Sequence, residues 1–154
     1  MTVKIDEALG GVSGKTVGVL GLSFKPNTDD IRDSPALPIV QGLLDGGAVV
    51  RAFDPEAMDG CRPLFPAVAF CENAYEAAED ADAVVIVTEW NQFRKLDLPR
   101  LCRLLRQPLV IDLRNLYEPE TMAAAGFRYV SIGRPEGVPE ARPQAVPVTA
   151  GGNS

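Results

Sequence analysis

Two cations seven residues apart, Lys25 and Arg32, share one polar stretch, Ser23-Phe24-Lys25-Pro26-Asn27-Thr28-Asp29-Asp30-Ile31-Arg32-Asp33-Ser34-Pro35. A lysine supplies a point charge and an arginine a bidentate fork. Ser34 followed by Pro35 marks the start of a helix, whose first N–H groups have no partner within the helix. A phosphate-bearing ligand suits that combination, and Pro26 stiffens the backbone beside Lys25. The plainer reading is that Asp29, Asp30 and Asp33 pair with the two cations on a solvated loop. As a connector the stretch is too long and too charged, against a usual length of about two to six residues. It also lacks the GxGxxG glycines that let a helix N-terminus close on a pyrophosphate, so it is a poor primary dinucleotide site.

The remaining chemistry is sparse. The chain has no histidine, which removes the commonest general base and transition-metal ligand together. Cys61, Cys71 and Cys102 are too widely spaced for a CxxC pair or zinc knuckle and read as free, packed thiols; no metal site is expected. Asp54 ends a predicted strand where a ribose-binding acid stands in NAD domains, but Pro55 behind it favours a turn or helix cap. Arg114 follows another strand, with a salt bridge to Asp112 or Glu118 as its plain alternative. Trp90 and Glu89 follow a third; the tryptophan reads first as core, with packing on a partner domain or lining a cleft as the other option. Tyr75, Tyr117 and Tyr129 read as structural, with no neighbouring base in the sequence.

The elements that must position these residues alternate. Thr16 to Leu22 is a short β-rich apolar run, buried on both faces. A helix then carries Leu37, Val40, Leu43 and Leu44 at helical spacing until Gly46-Gly47 stops it. Ala48 to Phe53 is the second strand, Val68 to Cys71 a weak third, Tyr75 to Glu79 a helix and Ala83 to Thr88 a strong fourth strand. Helices around Leu98 to Leu105 and Pro119 to Ala125 precede strands at Leu109 to Asp112 and Phe127 to Ile132. Strand-helix alternation implies right-handed crossovers and a mainly parallel sheet. The expected fold is α/β, a Rossmann-like, doubly wound sheet of about six strands, with ligands beyond the carboxyl ends of the strands. Residues 135–154, rich in proline and small polar types, are expected to be disordered.

At 154 residues, with 46% hydrophobic and 23% charged residues, the chain fits one globular domain. Its net charge of −6 argues against sequence-independent nucleic-acid binding, which runs on clustered cations. No membrane span and no secretory signal are read, so the default location is the cytoplasm.

Gly18 to Pro35, with its FKPNTDD wording, resembles the opening of the UDP-binding domain of UDP-glucose/GDP-mannose dehydrogenases, on the UDP-glucose side. Phe53-Asp54-Pro55, Thr88-Glu89-Trp90-Asn91-Gln92-Phe93 and Tyr129-Val130-Ser131-Ile132-Gly133-Arg134 follow in family order. The resemblance runs from about Gly14 to Arg134. It implies a UDP-sugar-binding domain at 14–134, preceded at 1–13 by the end of an inter-domain connecting helix. Enzymes of this family oxidise UDP-glucose twice at C6 with two NAD, through an enzyme-bound thio intermediate, to UDP-glucuronate. The resemblance places Phe24 and Lys25 on the UDP-sugar, Arg114 near its ribose and phosphates, and Arg32 on the NAD pyrophosphate, with an ion pair to Asp29 or Asp33 as the plain alternative for Arg32. It assigns no catalytic residue to this chain, because the family's GGSCFPKD-like nucleophile stretch, main NAD site and central dimerisation domain lie in earlier parts of the enzyme. The expected partners are therefore UDP-glucose or UDP and the N-terminal and central domains of a homo-oligomeric enzyme, and the chain alone is expected to be inactive. A rival reading is a free-standing nucleotide-binding or regulatory module; a GDP-mannose or UDP-N-acetylsugar dehydrogenase domain is a further alternative.

Overall fold

The structure, a computed structural model, describes residues 2–131. Residues 135–154 and the Ile132-Gly133-Arg134 end of the last motif lie outside the described residues. Six strands form a single all-parallel sheet: β1 (Thr16–Leu20), β2 (Val49–Phe53), β3 (Ala69–Phe70), β4 (Ala83–Ile86), β5 (Leu109–Asp112) and β6 (Arg128–Ser131). Their order is β3-β2-β1-β4-β5-β6. The helices are α1 (Thr2–Leu9), α2 (Ala36–Asp45), α3 (Met58–Cys61), α4 (Ala74–Ala78), α5 (Leu98–Leu104) and α6 (Pro119–Ala124), with a 3₁₀ turn at Asn91–Lys95. The doubly wound parallel architecture is the one expected from strand-helix alternation.

Parallel strands covered on both faces must be apolar on both faces, and β4 and β5 are buried at every position. Because side chains alternate, one sheet yields two cores. Val17, Val19, Val50, Val85 and Ile111 pack with Ile5 and Leu9 of α1 and Ile39, Val40 and Leu43 of α2. Leu20, Val84, Ile86, Val110 and Tyr129 pack with Ala74, Ala77 and Ala78 of α4, Leu101 of α5 and Met122 of α6. Gly18 makes the second layer possible: a Cβ there would stand 2.6 Å from the Ala77 carbonyl oxygen, so α4 lies directly on β1. Helix α1 is bound into the same body, with Ile5 fully buried and the Arg128 guanidinium donating to the Ala8 carbonyl at 2.7 Å.

Helix α2 starts slightly later than Ser34-Pro35 suggests. Pro35 stands at the cap position of α2 without a side-chain bond, while the Ser34 hydroxyl accepts from the Ala36 N–H at 3.2 Å. That hydroxyl also donates to the Leu22 carbonyl at 2.8 Å, tying the end of the loop to its beginning.

Candidate functional site

The order β3-β2-β1-β4-β5-β6 reverses direction between β1 and β4, so the chain leaving β1 runs to one side and the chain leaving β4 to the other. A crevice opens between two such diverging loops. Here both are anchored at their roots. Gly21 adopts φ +102° and donates to the Phe53 carbonyl at 2.9 Å, and the Thr88 hydroxyl donates to the Ser23 carbonyl at 2.8 Å. The loop then closes on itself, the Phe24 N–H meeting the Asp30 carbonyl at 2.7 Å, with Asn27 and Asp33 at positive φ.

Asp54, at the carboxyl end of β2, is fully buried and holds this arrangement from beneath. Its Oδ1 accepts from the N–H groups of Glu56 and Ala57, each at 2.8 Å, which is the turn-capping role that Asp-Pro suggests. Its Oδ2 accepts from the N–H groups of Leu22 (2.7 Å) and Ser23 (3.0 Å) and from the Trp90 indole (3.1 Å). Trp90 is accordingly buried, and its edge also helps line an open cleft of about 510 Å³ with Asn27, Thr28, Asp29 and Glu56. The core and cleft readings of Trp90 therefore both describe it.

Burial changes abruptly along the loop. Ser23 is fully buried, whereas Phe24, 47% exposed, and Lys25 face outward. An exposed phenylalanine beside an exposed cation at a sheet's ligand edge offers an apolar surface and a charge to the same ligand. Arg32, seven residues further along the loop, has its side chain 87% exposed. Its Nε and Nη2 each donate to the Asp30 carboxylate at 3.0 Å, and its own N–H donates to Asp30 at 2.9 Å. The Arg32 side-chain hydrogen bonds hold the Asp30 carboxyl down at about 2, and the same pairing raises the guanidinium. The ion pair thus goes to Asp30 and not to Asp29 or Asp33, because residues 30 and 32 straddle one residue of the turn and Asp30 can also take the Arg32 N–H.

Arg114, beyond β5, pairs with Glu89, beyond β4, at 2.7 Å. The expected partners were Asp112 and Glu118. Parallel pairing of β4 with β5 puts Ile86 beside Asp112, so residues a little past each strand end meet. Asp112 is instead occupied, its Oδ1 by the Arg114 N–H and its Oδ2 by the Leu116 and Tyr117 N–H groups and the Tyr129 hydroxyl at 2.6 Å. Tyr129 therefore does have a carboxylate neighbour, but both groups are buried and serve packing. Burial pushes the pKa of the Tyr117 hydroxyl up, with the Asp112 charge adding to it, and that hydroxyl donates to the Phe93 carbonyl.

Phe24, Lys25 and Arg32 thus share one loop, and Arg114 stands on the neighbouring carboxyl ends of the same sheet; none of the four is among the residues lining the cleft. Sequence reading missed Ser23, Thr88 and the second oxygen of Asp54, whose partners in other segments lie 31 to 67 residues away. Cys61 and Cys71 are buried, and burial pushes the Cys61 thiol up to about 11, with the Asp54 charge adding to it. Such a thiol is protonated at neutral pH and is no nucleophile. Among the described residues no group of three or more His, Cys, Asp or Glu is placed to hold a metal, and no helix is long and apolar enough to cross a membrane.

Fold and site together define a doubly wound Rossmann-like domain whose loop after β1 presents two exposed cations at the topological switch point. The chain belongs to the UDP-glucose/GDP-mannose dehydrogenase family, whose UDP binding domain matches residues 18–119. It is 52% identical over 134 residues to the UDP-glucose 6-dehydrogenase of Rhizobium meliloti (strain 1021), a match covering 86% of this chain and 31% of the relative. It is 45% identical over 133 residues to UDP-glucose 6-dehydrogenase TuaD of Bacillus subtilis (strain 168), covering 86% of this chain and 29% of the relative. Among solved structures, the NDP-N-acetyl-D-galactosaminuronic acid dehydrogenase of Methanosarcina mazei Go1 superposes with a TM-score of 0.73 at 32% identity, over 88% of this chain and 28% of that one. A UDP-glucose dehydrogenase from the archaeon Pyrobaculum islandicum gives 0.64 at 38% identity, over 72% of this chain and 24% of that one. The chain thus spans about three tenths of the length of the curated relatives it matches.

Proposed function

We propose that this chain is the UDP-sugar-binding part of an NAD-dependent UDP-glucose 6-dehydrogenase, which oxidises UDP-glucose to UDP-glucuronate, and that it does not turn over substrate alone. The observation that carries this reading is the exposed Phe24-Lys25 pair on a loop clamped at the sheet's switch point. Lys25 meets the diphosphate as a point charge and Phe24 walls the pocket beside it. Arg114, beyond β5 and paired with Glu89, meets the nucleotide's ribose and phosphates from two strands away on the same sheet edge. The names of the relatives support uridine as the base.

The fit to NAD is partial and informative. In a primary dinucleotide site the acid ending the second strand is free for a ribose, whereas both oxygens of Asp54 are taken by this chain's own N–H groups. The remaining contribution is Arg32, whose exposed guanidinium exchanges Asp30 for a pyrophosphate across a domain cleft. NAD, held mainly by an N-terminal domain, supplies the hydride acceptor. This chain's residues bind and orient the nucleotide sugar and close the cleft, in company with N-terminal and central domains in a homo-oligomer.

The test is a coupled pair of measurements on the purified chain. UDP binding by calorimetry with no NADH formed from UDP-glucose and NAD is the expected result. NADH formation above the blank overturns the claim of catalytic incompleteness, and absence of UDP binding overturns the site.

A further inference from the structure

Behind the exposed Phe24-Lys25 pair the loop meets a buried hub of hydrogen bonds. Three segments distant in sequence converge on Asp54 Oδ2: the loop after β1 through Leu22 and Ser23, β2 itself, and the segment after β4 through Trp90. The Ser23 hydroxyl lies 3.2 Å from the same carboxylate oxygen and 2.9 Å from the Lys25 carbonyl. It has one proton, and the shorter contact takes it. The Trp90 indole N–H, shared between Asp54 Oδ2 at 3.1 Å and Ser23 Oγ at 3.2 Å, faces the lone pairs that are left. A continuous chain of hydrogen bonds therefore runs from Asp54 and Trp90 through Ser23 to the backbone of Lys25. Its last link falls where burial ends, since Ser23 is fully buried and Lys25 is exposed.

We infer that Asp54 and Trp90 are positioning residues for the phosphate-binding cation, acting through Ser23 on the backbone of Lys25, an assignment that rests on Lys25 meeting the diphosphate as proposed above. The acid that elsewhere ends a second strand to hold a ribose is here turned inward and reused to fix the ligand loop. Both oxygens are committed, so the carboxylate is held against rotation: turning it would break the Glu56 and Ala57 caps together with the Leu22 and Ser23 bonds.

The test separates positioning from simple structural support by asking whether the hub acts through Lys25. UDP affinity is measured by calorimetry on the whole chain and on Trp90→Phe, Ser23→Ala, Lys25→Ala and the two doubles with Lys25→Ala. Trp90→Phe keeps an aromatic ring and removes the N–H; Ser23→Ala removes the link to the Lys25 carbonyl and serves if the first variant fails to fold. Each single hub variant is expected to weaken UDP binding about three- to tenfold, the size of one net hydrogen bond. In the Lys25→Ala background neither is expected to weaken it further. If the hub variants cost the same factor with and without Lys25, or cost nothing while Lys25→Ala weakens binding, positioning is overturned and the binding role of Lys25 stands. If Lys25→Ala itself leaves UDP affinity unchanged, the binding role falls and the positioning role with it.

Discussion

Replacing Gly21 by alanine strikes the roots of the loops after β1 and β4 at once. The residue holds φ +102°, a conformation that side-chain-bearing residues avoid, and an added Cβ would stand 2.6 Å from the Cβ, backbone nitrogen and Oγ1 of Thr88. The conformational strain is worth about 1–3 kcal/mol. Thr88 must also move, which releases its 2.8 Å bond to the Ser23 carbonyl, a further loss of about 0.5–1.5 kcal/mol. Together these predict a destabilisation of about 1.5–4.5 kcal/mol. Gly10 is the matched control, with φ +69° and nothing within 4 Å of a built Cβ, so Gly10→Ala isolates backbone strain at about 1–2 kcal/mol. The assay is urea unfolding followed by fluorescence of Trp90, the single tryptophan of the chain, which sits on the hub these loops share. The midpoint should fall with little change in slope. A loss for Gly21→Ala no larger than that for Gly10→Ala would refute the argument that Thr88 fills the space beside Gly21.

Three more expectations follow from the site. In a complete dehydrogenase, Lys25→Ala should weaken UDP-glucose binding far more than NAD binding and Arg32→Ala the reverse, each by about ten- to a hundredfold, the size of a charge-assisted hydrogen bond, with both effects shrinking in added salt; equal losses of both ligands in both variants would mean the loop is only an ion-pair cluster. Asp30, held at about 2 by Arg32, has a depressed carboxyl, so the pairing's contribution is present above the ordinary value of 3.8 and fades as pH falls toward 2; NMR titration of that carboxyl should show a midpoint near 2, and one near 3.8 would show the pair does not persist in solution. Cys102, only partly buried, should be alkylated in the native chain well before Cys61, whose thiol lies near 11 and is fully buried; mass spectrometry finding Cys61 labelled first would contradict the packing of α3 on the sheet.

What was legible in the sequence was what apolar runs and stop signals encode. β5 is legible at its observed bounds because Leu109-Val110-Ile111 is a short apolar run closed by Asp112, and α2 because Leu37, Val40, Leu43 and Leu44 recur at helical spacing before two glycines, although only Val40 and Leu43 of these are fully buried, beside Ala36 and Ile39. α3 and the 3₁₀ turn at Asn91–Lys95 are not legible, because the first offers only Met58 and Cys61 and the second only Phe93, too few apolar residues to set a helical period. At the site, Lys25 and Arg32 were visible as cations in an over-long loop, and Asp54 as a cap, since each signal is local. Their partners were not. Asp30 is no different in sequence from Asp29, and choosing it requires the turn. Glu89 reaches Arg114 only through the β4–β5 register. The second oxygen of Asp54 works across 31 to 36 residues, a relation that no spacing rule reports.

The role proposed for the carboxyl edge of this sheet is to bind a uridine diphosphate through the loop after β1. Calorimetric titration of UDP, GDP and NAD into the chain and its Lys25→Ala variant tests it most directly. UDP is expected to bind more tightly than GDP or NAD, and Lys25→Ala to weaken UDP binding by about tenfold or more, the loss of one charge-assisted contact. UDP binding no tighter than GDP, or unchanged by Lys25→Ala, would contradict it.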